Sequence, residues 1–179
     1  MTGELEVLGI VSERLTAADI DFMLTGSFAM AYYATPRMTR DLDLVIAAGK
    51  GDADRIVQVF SDDFYVDADN ARSAIDARHM FNLLHLASGI KVDFIVKKDS
   101  AYRDEEFTRR QLVDLGGVRT WIAAREDLIL SKLLWAMQSG SELQRRDATA
   151  LAREPADWSY LTRWAETLGV GDALAKVRP

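Results

Sequence analysis

The chain has 179 residues, 49% of them hydrophobic and 28% charged. That length and balance suit one domain, or one domain with a small appendage, and exclude a disordered or low-complexity chain. The net charge of −6 disfavours a protein that coats nucleic acid, and the absence of cysteine excludes disulfides and thiolate metal sites. Cysteine-free composition fits a reducing cytoplasm. The opening "MTGELEVLGIVSERL" is acidic and amphipathic, unlike a signal peptide, and no apolar run approaches the roughly 20 residues that span a bilayer. The expectation is a cytoplasmic protein with no membrane contact.

In chain order, "ELEVLGIVSERLTA" (4–17) places Leu5, Leu8, Val11 and Leu15 at helical spacing. "DFMLTG" reads as a short strand ending at Gly26. "SFAMAYYA" follows as a helix with Ser27 as its N-cap, closed by Pro36. "DLDLVIA" reads as a strand, since Leu42, Leu44 and Ile46 alternate with Asp41, Asp43 and Val45. "DADRIVQVFSD" is a helix. "FNLLHLASGIKVDFIV" reads as a hairpin turning at Ser88-Gly89, which pairs Leu84 with Asp93 and His85 with Val92. A further extended piece runs through "RRQLVDLGGVRTWIA". Beyond residue 123 four segments are helix-like: "REDLILSKLLWAMQ", "ELQRRDATALARE", "DWSYLTRWAETLG" and "GDALAKV". The expected organisation is an α/β region over residues 1–122 and a helical region over residues 123–179 packed on it. Trp121, Trp135, Trp158 and Trp164 read as core anchors.

The chemistry lies in the acids. Asp41 and Asp43 stand two apart on a strand, so both leave the same face. Two neighbouring carboxylates repel unless a cation neutralises them, and Mg²⁺ prefers one or two carboxylates plus phosphate oxygens and water. Alone, Asp-x-Asp more often marks an exposed edge strand. Gly26-Ser27 shifts that balance. It sits where a strand passes into a helix, and the unpaired N–H groups and positive end of a helix favour phosphate. A third acid then fits: "KVDFIV" carries Asp93 inside an apolar strand, where an unneutralised carboxylate is costly. His79 and His85 fall outside this set. Lys132, flanked by Leu130, Leu133 and Leu134, must reach water or meet an anion. Arg37 and Arg40 flank the acids.

"GSFAMAYYATPRMTRDLDLVI" with the later "KVDFIV" resembles the polymerase-β-like nucleotidyltransferase superfamily: Gly-Ser, a helical spacer, Asp-x-Asp, then a third Asp on a neighbouring strand. The "TRDLDL" form, with "REDLILSKLLWAMQ" and the later "RRD", most resembles the AbiEii-type toxin branch. The resemblance implies a mixed sheet flanked by helices, followed by a C-terminal helical region. It implies transfer of an NMP from an NTP such as ATP to an acceptor hydroxyl, with Mg²⁺ or Mn²⁺ as cofactor. Gly26 and Ser27 would contact the triphosphate, and Lys132 and Asp147 match the branch's later motifs, with Lys132 suited to a triphosphate oxygen. Arg40, adjacent to Asp41, is a further candidate for phosphate or acceptor by its position. Asp41, Asp43 and Asp93 would hold the metals, and Asp93 would also help deprotonate the acceptor. The acceptor would be RNA, as in a tRNA-modifying toxin, or a protein, as in nucleotidylating antitoxins, with a cognate toxin or antitoxin as partner. A small molecule such as an aminoglycoside is the third choice of acceptor. The other open readings are an inert nucleotide-binding interaction module and, disfavoured by the acidic balance, a nucleic-acid-binding protein with no enzymology.

Overall fold

The structure is a computed structural model that describes residues 3–34 and 41–178. The helix α1 (Glu4–Ala17) leads into β1 (Phe22–Thr25), α2 (Gly26–Tyr33) and β2 (Asp41–Ile46). Next come α3 (Ala53–Phe60), β3 (Phe64–Val66), α4 (Ala68–Ala77), β4 (Met80–His85) and β5 (Lys91–Val96). Then follow α5 (Ala101–Thr108), β6 (Gln111–Leu115) and β7 (Val118–Ile122). Four helices close the described chain: α6 (Arg125–Ser139), α7 (Glu142–Ala152), α8 (Trp158–Leu168) and α9 (Gly171–Val177). The described strands form one seven-stranded sheet in the order β3-β4-β5-β2-β1-β7-β6. It is mixed: β2 runs parallel to β5 and β7 parallel to β1, and the other pairs are antiparallel. This is the expected α/β sheet with helices, including the C-terminal helices.

The central strands are apolar on the face away from the acids. Leu42, Leu44 and Ile46 of β2 and Val92, Phe94 and Val96 of β5 are all at most 1% exposed. That face carries most of the hydrophobic stabilisation. On α1 the buried stripe is Val7, Leu8, Val11 and Leu15, while Leu5 is 37% exposed. Val7 thus takes the core position expected of Leu5, whose methyl sits over the β6–β7 turn at Gly116.

Three local expectations need correction. The β4–β5 connection is not a two-residue turn. Residues 86–89 form the loop, with the Ile90 carbonyl accepting from the His85 N–H (2.9 Å) and the His85 carbonyl accepting from the Gly89 N–H (2.8 Å). Asp93 therefore pairs with Asn82, and Leu84 with Lys91. A two-residue type I′ turn needs φ > 0 at both central residues, and Ser88 lacks the tolerance of Asn or Asp for it. The displacement is two residues, so every side chain keeps its face. His85 still lies on the other face of the sheet from Asp93, buried, with Nδ1 2.8 Å from Ser88 Oγ. Second, the N-cap of α2 is Thr25 and the helix begins at Gly26, so Ser27 lies in the first turn. Third, residues 111–122 are two strands rather than one, turned at Gly116-Gly117 with φ of +62° and +90°.

Of the tryptophans, Trp164 is buried against the Tyr102 ring, with centroids 5.2 Å apart. Trp121 and Trp158 are half-buried against the core. Trp135 is 53% exposed and is no core anchor. The helical region is tied down by Asp127, which is fully buried in the first turn of α6. Its carboxylate accepts from Tyr160 Oη of α8 at 2.6 Å and from Arg109 Nε at 3.2 Å. Removing the hydroxyl with Tyr160→Phe leaves that buried carboxylate one donor short. A loss of about 1–3 kcal/mol in unfolding free energy is expected, read by urea denaturation.

Candidate active site

Two strands that are neighbours in space but distant in sequence bring the acids together. In the parallel register of β2 and β5, Asp43 lies directly beside Asp93, and Asp41 beside Lys91. Adjacent strands are about 4.8 Å apart, so the paired side chains share one stretch of the same face. Asp93 is 6% exposed, Asp43 half-buried and Asp41 exposed at the strand start. Burial, and next the Asp93 charge, push the Asp43 carboxyl up to about 6, against the pull of Lys132 and Lys91.

The Gly26 backbone closes over this pair. Gly26 has φ +67°, and a Cβ built on it would meet Asp43 Oδ2 at 2.0 Å. No L-residue fits there without moving the acid. Ser27 is buried next to it, and its Oγ accepts from Lys132 Nζ at 3.1 Å. Lys132 also donates to Asp147 Oδ2 at 2.9 Å. Both partners of this ion pair are at most 5% exposed. Lys132 and Asp147 therefore meet the Gly-Ser turn in three dimensions, although α6 and α7 lie some hundred residues beyond it. Arg37 and Arg40 lie outside the described residues.

Several neighbours were not anticipated. Lys91 Nζ lies 2.9 Å from Asp93 Oδ2. Its position two before Asp93 on a strand was the available signal. A cleft of about 290 Å³ is lined by Gly26, Asp43 and Lys132 together with Arg103 and Glu106 of α5 and Trp135 of α6. No periodicity in the sequence brings α5 and α6 together.

Among the described residues, no group of three His, Cys, Asp or Glu side chains stands close enough to hold a metal ion as placed. The donor chemistry nonetheless fits a hard cation. Asp93 Oδ1 is buried and makes no hydrogen bond among the described residues, and the acids beside it offer only oxygen ligands, which suit Mg²⁺ or Mn²⁺. The present counter-charges are ammonium groups, Lys91 on Asp93 and Lys132 near Asp43.

The fold is shared with solved structures at low identity. An antigenic nucleotidyltransferase-like protein from Paracoccidioides brasiliensis is 19% identical with a TM-score of 0.63, covering 97% of this chain and 87% of that one. The antibiotic-resistance factor ANT(2'')-Ia is 13% identical with a TM-score of 0.59, covering 97% and 91%. The lincosamide antibiotic adenylyltransferase LnuA, solved with lincomycin bound, is 14% identical with a TM-score of 0.53, covering 84% and 96%. At these identities the likeness concerns the fold. No curated protein matches the sequence. Among the described residues no helix is long and apolar enough to cross a membrane. The family itself is carried by residues 13–162, which match the description "Nucleotidyl transferase AbiEii toxin, Type IV TA system"; the chain belongs to the AbiEii nucleotidyltransferase family and is a nucleotidyltransferase.

Proposed function

We propose that the chain transfers an NMP from an NTP to an acceptor hydroxyl, releasing pyrophosphate, at the Asp43–Asp93 pair. The observation that carries this is the parallel register that sets those two acids side by side under Gly26. The Gly26 backbone admits a phosphate closely, and the Ser27 hydroxyl and Lys132 ammonium offer it a donor and a point charge. Asp147 holds Lys132 in that position. Asp41, Asp43 and Asp93 would hold Mg²⁺ or Mn²⁺, which when bound neutralises charge on the α-phosphate and lowers the acceptor hydroxyl's pKa. Asp93 accepts the acceptor's proton, since one of its oxygens makes no hydrogen bond among the described residues. Arg40 completes the phosphate contacts. Positioning and electrostatics then supply the rate.

The acceptor is RNA, with a tRNA end foremost, and the biological role is that of the toxin in a toxin–antitoxin or phage-defence pair with a cognate antitoxin. The family description, a toxin of a toxin–antitoxin system, supports the toxin role. A protein acceptor is the second choice. An inert interaction module is disfavoured by the buried, unpartnered oxygen of Asp93, which costs stability and serves nothing without a ligand.

Asp43→Asn tests the proposal. Transfer of labelled NMP to total RNA or protein falls by at least about a thousandfold. The melting temperature stays at or above that of the wild type, because one of two adjacent charges is gone. Retained transfer in a folded variant contradicts the assignment.

A further inference from the structure

The cleft does not end at the acids. Its walls are mixed. Gly26, Asp43 and Lys132 line it together with the apolar Val45, Ile95 and Leu128 and with Arg103, Glu106 and Trp135. An occupant suited to that lining carries an anionic group, a flat apolar face and polar edges. A nucleoside triphosphate combines these.

Two residues of the lining stand out. Trp135 is 53% exposed, although tryptophan is among the residues most buried on average. Glu106 is 2% exposed, yet lines the cleft. Its Oε2 accepts from Arg103 Nη1 at 2.7 Å. Among the described residues its Oε1 accepts from Ser131 Oγ alone, at 3.4 Å. A carboxylate has about four acceptor sites, and leaving them unfilled away from water is costly. Burial pushes the Glu106 carboxyl above its ordinary range, against the pull of Arg103. The cleft therefore favours a ligand that brings a hydrogen-bond donor to Oε1.

Resting on the nucleotidyl-transfer reading, we propose that Glu106 and Trp135 form the nucleobase subsite of this cleft. Trp135 stacks on the ring and Glu106 accepts from an exocyclic amino group. Adenine, cytosine and guanine each carry such a group. Uracil presents two carbonyl oxygens around a single N–H, so at least one carbonyl faces the carboxylate. The site thus discriminates by class: amino-bearing bases enter and uridine nucleotides are rejected. Arg103 acts as a positioning residue that fixes the Glu106 rotamer.

The test is nucleotide binding, read by quenching of tryptophan fluorescence in the intact chain with each of the four NTPs. In the wild type, at least one amino-bearing NTP binds at least about tenfold more tightly than UTP. Trp135→Phe abolishes the quenching. Glu106→Gln, whose amide can turn its NH₂ toward a carbonyl, narrows the gap to UTP. Its melting temperature, measured alongside, separates this from a folding defect. UTP binding as tightly as the best of the other three overturns the proposal on the wild-type protein alone. An unchanged ranking in folded Glu106→Gln also overturns it. The two readings fail separately. Transfer without base preference removes the subsite and leaves the activity, whereas the ranked binding without transfer leaves the subsite and removes the activity.

Discussion

Replacing Gly26 by alanine is expected to remove at least about 99% of nucleotidyl transfer while costing about 1 kcal/mol of stability. The two effects have different origins. The stability cost comes from placing a side chain at φ +67°. The activity loss comes from the new Cβ, which would stand 2.0 Å from Asp43 Oδ2 and drive that acid off its place beside Asp93. Gly89→Ala is the control. Gly89 has nearly the same φ, +68°, but nothing lies within 4 Å of its added Cβ. It should lose a similar amount of stability, a few degrees in melting temperature, and keep its transfer activity. Equal activity in both alanine variants would show that the contact between Gly26 and Asp43 has no part in the reaction.

The second large effect concerns Lys132. The residue is 3% exposed, and its ammonium donates to Ser27 and Asp147. Removing one partner of a buried pair costs about 3–5 kcal/mol, because the remaining charge stays in a poor dielectric. Lys132→Met should therefore lower the melting temperature by roughly ten degrees and reduce transfer by at least about a hundredfold. Adding Asp147→Leu removes the stranded carboxylate and fills the space with apolar volume. Such replacements are commonly neutral or stabilising. The double variant should regain much of the lost stability, measured by denaturant titration, and none of the activity. An active double variant would make the pair a purely structural link between α6 and α7.

The acids were legible because ionised carboxylates in apolar strands are expensive, and that expense shows in the sequence. Their common face was legible because strand parity survives a misplaced turn. The register at Asp93 was off by two residues, yet the side chain kept its side of the sheet. What escaped was whatever depends on meeting across elements. Helices α4 and α5 carry weak apolar patterns, and their strongest signals are the caps: Asp67, which accepts from the Asn70 N–H, and Ser100, which accepts from the Arg103 N–H. Without α5, Arg103 and Glu106 had no place in the site. Helical spacing gave Trp135 a position on α6 but not which flank of α6 the sheet and α5 would cover. Lys91 was legible in part: standing two before Asp93, it shares that residue's face of β5, whereas its place beside Asp41 shows only once β2 and β5 are known to be parallel.

The most direct measurement uses two versions of the same nucleotide. The chain is incubated with Mg²⁺, total cellular RNA and NTP labelled either at the α- or at the γ-phosphate, beside an Asp93→Asn variant of equal thermal stability. The account predicts that α-label alone enters the RNA, that γ-label leaves as pyrophosphate, and that the variant does neither. Label entering from the γ-phosphate, or undiminished α-label transfer without the residue-93 carboxylate, would contradict it.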